Sequence, residues 1–124
     1  MCADFDRCNL NELGLSEVQA HHGVGLIRFR RLVDREGLAS MCNFIDIAEL
    51  PPGTSIGRHV HGADQEEFYL VLSGEGQMWR NGETFDVRSG DLIRNPPGGR
   101  HGLVNTGTVP LKIFVFEVGI RGAR

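Results

Sequence analysis

The sequence predicts an all-β fold, a sandwich or barrel closed over one core. Three observations carry this. Short runs rich in Val, Ile, Phe and Leu ("VGLIRFRRL", "CNFIDIAEL", "EFYLVLSG", "GQMWRNGETFDV", "GDLIRN", "LKIFVFEVG") recur about every ten residues. The 17 glycines and 5 prolines are spread between these runs rather than massed in a linker. "MWRNGETF" reads as a hairpin, because Asn81-Gly82 suits a type I′ turn in which both central residues need positive φ. At 124 residues the chain has the length of one domain and can bury one core without disulfides.

The elements follow in order. Residues 1–22 form an N-terminal segment ahead of a single domain over 23–124. Within it "NLNELGLSEVQA" has polar caps and a rough helical pattern in Leu10, Leu13 and Val18, weakened by Gly14. A short helix or an extended segment is expected there. The first strand run carries Arg28, Arg30 and Arg31, which read as a solvated face. "PPG" at Pro51–Gly53 and "NPPGG" at Asn95–Gly99 are turns that no helix or central strand tolerates.

Composition excludes several classes. The net charge is −3, and no clustered basic face suggests a nucleic-acid partner. No run approaches the roughly 20 apolar residues of a membrane span. The N-terminus does not read as a secretory leader, so a cytoplasmic protein with reduced thiols is expected. Cys2, Cys8 and Cys42 match no zinc spacing. Cys2 and Cys8 are read as part of a terminal tail rather than as ligands.

His59 and His61 are two residues apart, a spacing that puts both on one face of a strand. In the next run Glu67, Tyr69 and Val71 share one face, and Glu66, Phe68, Leu70 and Leu72 share the other. His101 follows a Pro-Gly turn. Three imidazoles and a carboxylate suit one divalent transition metal: Fe, Mn, Ni, Co, Cu or Zn.

These residues fall into two motifs, and through them the sequence resembles the cupin superfamily. The first motif is Gly, five residues, His-x-His, three or four residues, Glu, six residues, Gly. Gly53, His59, His61, Glu67 and Gly74 answer to it. The second is Gly, five residues, Pro-x-Gly, two residues, His, three residues, Asn, met by Gly90, Pro96, Gly98, His101 and Asn105. Fifteen residues, Glu75 to Ser89, separate them, a gap similar to that of compact bacterial cupins. One departure is present. Five residues lie between His61 and Glu67, one more than the pattern. Counting four instead lands on Glu66. The strand register up to Gly74 favours Glu67 as the ligand, with Glu66 open.

The resemblance implies a double-stranded β-helix, a jelly-roll barrel, with His59, His61, Glu67 and His101 facing inward around a metal. Gly53, Gly74, Gly90 and Gly98 would turn the corners, and Asn105 would brace a loop. Tyr69, Val71, Trp79, Phe114 and Phe116 are candidates for the pocket lining, with Met78 as the alternative to Trp79. Arg94 and Arg100 are candidates to clamp an anionic substrate, and Tyr69 or Glu66 to act as general base. The implied function is a metal-dependent enzyme on a small organic metabolite, leaning toward a dioxygenase-like oxidoreductase. A Lewis-acid isomerase, lyase or decarboxylase and a non-catalytic, metal-anchored binding protein are the alternatives. The resemblance also implies a homodimer, with "GLIRFRRLV" as the candidate edge strand for pairing.

Overall fold

The structure, a computed structural model, describes residues 6–121. Among the described residues ten strands run in order: β1 (Ser16–Val18), β2 (Ile27–Asp34), β3 (Cys42–Leu50), β4 (Ser55–Val60), β5 (Gln65–Ser73), β6 (Glu75–Arg80), β7 (Glu83–Arg88), β8 (Leu92–Asn95), β9 (Arg100–Val104) and β10 (Leu111–Gly119). They form a six-stranded sheet ordered β1-β2-β3-β10-β5-β8 and a four-stranded sheet ordered β4-β9-β6-β7. Successive strands alternate between the two sheets over much of the chain, as a jelly roll requires. Each expected apolar run is a strand or a hairpin.

The N-terminal segment takes the extended alternative. Asn9 caps a single 3-10 turn at Leu10–Glu12, and the chain then enters β1. Gly14 follows that turn, and Val18 gains more by packing against the core than a helix would return. β1 pairs with Ile27–Phe29 of β2. The "GLIRFRRLV" segment is therefore not an edge strand there; β1 covers it.

Alternation along each strand decides what the barrel holds. β10 buries Leu111, Ile113, Val115 and Glu117, while Phe114 and Phe116 face outward, half-buried. β5 buries Glu67, Tyr69 and Val71. β3 pairs Leu50 with Leu111 at one end and brings Phe44 opposite Glu117 at the other. The interior is thus graded. Leu50, Val71, Met78, Val87, Leu103, Leu111 and Ile113 fill one end as a continuous apolar core. The acids Asp46, Glu67 and Glu117, all nearly fully buried, sit toward the other.

Two local features hold the ends together. Asn81 and Gly82 both have positive φ, 49° and 85°, in the turn between β6 and β7. Asn105, buried after β9, donates through Nδ2 to the carbonyls of Leu50 and Val109, each at 2.8 Å, and accepts from Gly107 N at 2.8 Å. It is the loop brace that the second motif implied.

Before β2 the chain crosses β4 at close quarters. Ala20 bridges Ile56 in parallel. Gly57 N donates to Ala20 O at 3.0 Å, and Ser55 N to Val24 O at 3.0 Å. A Cβ at Gly57 would lie 2.0 Å from the carbonyl oxygen of His21. No rotamer relieves a clash with backbone, so the crossing demands glycine. Gly57→Ala is expected to lower stability by about 1–3 kcal/mol, measured by urea unfolding. An unchanged midpoint would show that the crossing tolerates a side chain.

Candidate metal centre

β4 and β9 lie side by side, with His59 directly opposite His101. His61 follows the end of β4, and its backbone N–H donates to Gly99 O at 3.1 Å. Glu67 comes from β5 in the facing sheet, where it lies between Glu117 of β10 and Asn95 of β8. The ligand atoms of His59, His61, Glu67 and His101 all lie within 4.8 Å of one another. His59 Nε2 is 3.1 Å from His61 Nε2. Glu67 Oε1 is 3.0 Å from His101 Nε2 and 3.3 Å from His61 Nε2.

The far nitrogens fix the tautomers. His59 Nδ1 lies 2.7 Å from the carbonyl of Gly57, so it donates and leaves the Nε2 lone pair pointing at the cluster. His61 Nδ1 faces Glu117 Oε2 at 3.5 Å, and Glu117 Oε1 accepts from Asn43 Nδ2 at 2.9 Å. When both rings are neutral they present two Nε2 lone pairs to each other, and without a metal a proton on His61 relieves this. A cation between them resolves that opposition. Asn95, the strand neighbour of Glu67, is buried with neither amide atom hydrogen-bonded within the protein. The donor set fits a first-row divalent ion.

Protonation follows from the same contacts. Burial depresses His59 to about 4. Burial also opposes charge on His61, but hydrogen bonds to Glu117 and Glu67 outweigh it and raise the group to about 9. Burial would raise Glu67, yet hydrogen bonds from His101 and His61 hold it at about 2. Burial, reinforced by the neighbouring Glu67, pushes Tyr69 well above its ordinary range, so its hydroxyl keeps its proton.

The cluster opens into a cavity of about 490 Å³. Ile27, Phe29, Phe44, Ala48, Ile56 and Val115 supply its apolar wall, and His21, Arg31, Asp46, Tyr69 and Glu117 its polar one. His21 arrives from the segment that crosses β4 and stacks on His59 at 3.6 Å between ring centroids, nearly parallel at 8°.

Tyr69 is the one expected pocket residue outside the ligand set that lines this cavity. Glu66 points to the other face of β5, as strand parity requires, and pairs with Arg94 there. That placement removes Glu66 as a ligand or base, and Arg94 as a clamp. Arg100 is exposed on β9 and lines no part of the cavity. Trp79 faces outward beneath the Arg58 guanidinium at 4.2 Å, while Met78 is the inward residue. Phe114 and Phe116 stand on the outer face of the six-stranded sheet, where Phe116 stacks on Phe68 at 4.9 Å. Val71 is core. Cys8 is exposed and Cys42 lies at the start of β3, outside the cluster; Cys2 lies outside the described residues.

Sequence reasoning missed Glu117, Asp46, Arg31 and His21. Glu117 and Asp46 had a signal: each is an acid in phase with the buried apolar positions of its own strand. His21 had none, because the crossing of β4 is a tertiary contact.

A jelly-roll barrel with a three-histidine, one-carboxylate cluster at its open end defines a class of protein. The Cupin domain family model matches residues 46–117, more than half of the chain, and the chain belongs to that family. Over 96 residues it is 31% identical to an oxalate-binding protein of Thermotoga maritima, covering 77% of this chain and 78% of that one. It is 32% identical over 80 residues to the dimethylsulfoniopropionate lyase DddW of Ruegeria pomeroyi, covering 64% of this chain and 51% of that enzyme. Among solved structures, a predicted oxalate decarboxylase from Thermotoga maritima superposes with a TM-score of 0.84 at 26% identity, covering 90% of this chain and 97% of that one. Among the described residues, no helix is long and apolar enough to cross a membrane.

In chelator-treated protein the histidine shifts bound stability from both sides. His61, raised from 6.5 to about 9, stabilises fully below pH 6.5, and that contribution is lost as pH rises through 9. His59, depressed from 6.5 to about 4, contributes above 6.5, and that is lost as pH falls through 4. Metal-free protein should therefore show a falling Tm between pH 7 and about 9, with a shallower fall in Glu117→Gln, which lacks one of the acceptors that raise His61. Equal slopes in the two proteins would dissociate His61 from Glu117.

Proposed function

We propose that this cupin holds one divalent transition-metal ion on His59, His61, Glu67 and His101 and acts on a small organic acid bound to that ion through oxygen atoms. The observation that carries the reading is the convergence of four donor atoms on the floor of a mixed cavity of about 490 Å³. Four protein ligands leave one or two positions for a ligand on an ion that prefers five or six. The relative named for oxalate binding and the predicted oxalate decarboxylase support a carboxylate as that ligand.

Lewis-acid chemistry of the lyase, decarboxylase or isomerase kind is the reaction class favoured here. When bound, the ion polarises a ligand oxygen. The residues around it do the rest. Glu117 holds the His61 tautomer, the Tyr69 hydroxyl is a proton-bearing donor next to Glu67, and Ile27, Phe29, Phe44 and Val115 keep bulk water off one side. Two further carboxylates on the cavity, Asp46 and Glu117, together with the lyase among the relatives, tip the balance toward this class. An oxygen-dependent dioxygenase is the second reading, favoured by the apolar wall.

Elemental analysis of protein purified without a tag or added metal tests the ion. About one transition-metal ion per chain is expected, with loss in His101→Ala. Oxalate titrated into the loaded protein, followed by calorimetry and by product formation with and without oxygen, then separates the classes. Turnover without oxygen supports the Lewis-acid reading, turnover only with oxygen the dioxygenase, and saturable binding of oxalate without product a binding protein. No metal in either protein after reconstitution refutes the proposal.

The homodimer is also proposed, now through the outer face of the six-stranded sheet. Phe68, Phe114 and Phe116 cluster there, and the Glu66–Arg94 and Arg28–Glu49 pairs neutralise the charges beside them. Such a self-complementary face suits a two-fold contact. Light scattering should report twice the monomer mass for the wild type and the monomer mass for Phe116→Asp. A monomeric wild type at micromolar concentration excludes the pairing.

A further inference from the structure

We infer that Arg31 is the anchor for a second carboxylate on the substrate, so that the cavity takes a diacid chelated at one end and clamped at the other. The inference rests on the metal-cavity reading above and adds the chemistry of the far end. Arg31 is an inward residue of β2. Its register partner is Asp46, and the register shifts just beyond it, between Arg31 and Val33. The side chain lines the same cavity as His59, His61 and Glu67.

Arg31 is held before any ligand arrives. Nε donates to Asp46 Oδ1 at 2.9 Å and Nη2 to Asp46 Oδ2 at 3.1 Å, a two-pronged pair. The guanidinium also lies over the Phe44 ring at 4.1 Å. Those contacts use the Nε–Nη2 edge. The planar fork has five N–H donors, so the Nη1–Nη2 end keeps a second pair aimed away from Asp46. The side chain is 42% exposed while Asp46 is 7% exposed, so the free end is open and the bound end is shut. A buried carboxylate that orients an arginine without covering it leaves a preorganised anion site, and ligand binding costs little side-chain entropy.

Charge agrees with a dianionic ligand at this place rather than at the surface arginines. A divalent ion and Arg31 together offset Glu67, Glu117 and Asp46, so the loaded cavity is near neutral and does not repel an acid. The cavity also has an apolar wall, with Ile27, Phe29, Phe44 and Val115 among its lining. The ligand class is therefore a small diacid with a donor oxygen next to one carboxylate, as in a 2-oxo diacid, and an apolar stem.

Calorimetry on metal-loaded protein tests it, using 2-oxo diacids of increasing chain length against 2-oxo monoacids of the same length. At the fitting length the diacid should bind about tenfold tighter, the gain of one charge-assisted pair. Arg31→Gln should abolish that preference and leave monoacid affinity and metal content unchanged. Because this change strands Asp46, the double variant Arg31→Gln/Asp46→Asn is the matched control, with the same expected loss. Arg31→Lys keeps the charge without the fork and should recover only part of the preference. Equal binding of diacid and monoacid by the wild type, or a preference that survives in the double variant, overturns the anchor alone. Failure of every acid to bind protein that retains its metal overturns the anchor together with the organic-acid reading.

Discussion

Burying three carboxylates on one barrel wall is the constraint from which the site follows. Glu67 and Glu117 are directly opposite each other on neighbouring strands, both inward and both almost fully buried. Asp46 stands on the next strand over, facing the same interior. Like charges directly opposed across a sheet are destabilising, and a buried carboxylate without a partner is far costlier than an exposed one. The barrel bears this arrangement because each acid has a cationic or donor partner. Arg31 takes Asp46, and His61 reaches toward both Glu67 and Glu117. A divalent ion on the Nε2 side would strengthen the set and leave the Nδ1 contact to Glu117 in place.

The same strands build the rigid and the reactive halves. On β10 the inward series runs Leu111, Ile113, Val115, Glu117, and on β3 it runs Leu50, Ala48, Asp46, Phe44. Apolar packing at the first positions fixes the pitch and register of the strands, and the last positions inherit that rigidity. The crossing of β4 by residues 20–25 adds a second support. Backbone hydrogen bonds at Gly57 and Ser55 hold the segment, and His21 caps the free face of the His59 imidazole. The His59 ring is therefore held at its edge by Gly57 and on its face by His21.

How far the sequence reveals this depends on the range of the interaction. Period-two patterning showed the strands, and parity within "EEFYLV" separated Glu67 from Glu66 by face. The Asn81-Gly82 turn was legible because its dihedral demand is local. Pocket residues were less legible. Trp79, Phe114 and Phe116 looked like lining because they are large and apolar, yet parity sends each outward, where aromatic stacks and an arginine cover them. Arg31 looked like one of three solvated arginines. Its inward place depends on pairing with Asp46, a residue of another strand. His21 was invisible for the same reason, since only the crossing of β4 brings it to His59.

The departure from the family spacing illustrates which part of a motif is stiff. The additional residue between His61 and Glu67 is absorbed in the turn at 62–65. There Gln65 N donates to Gly62 O at 3.2 Å, and Gly62 N to the Gln65 side chain at 3.3 Å. Lengthening such a loop by one residue changes closure entropy by well under about 0.6 kcal/mol, the cost of a full doubling. Moving the change into β5 would slip the register against both β10 and β8. A one-residue slip would turn Glu67, Tyr69 and Val71 outward and bring Glu66, Phe68 and Leu70 into the barrel. The core would exchange Val71 for Leu70, and Arg94 would lose its partner. The loop yields because it is cheap, and the strand keeps Glu67 beside His101.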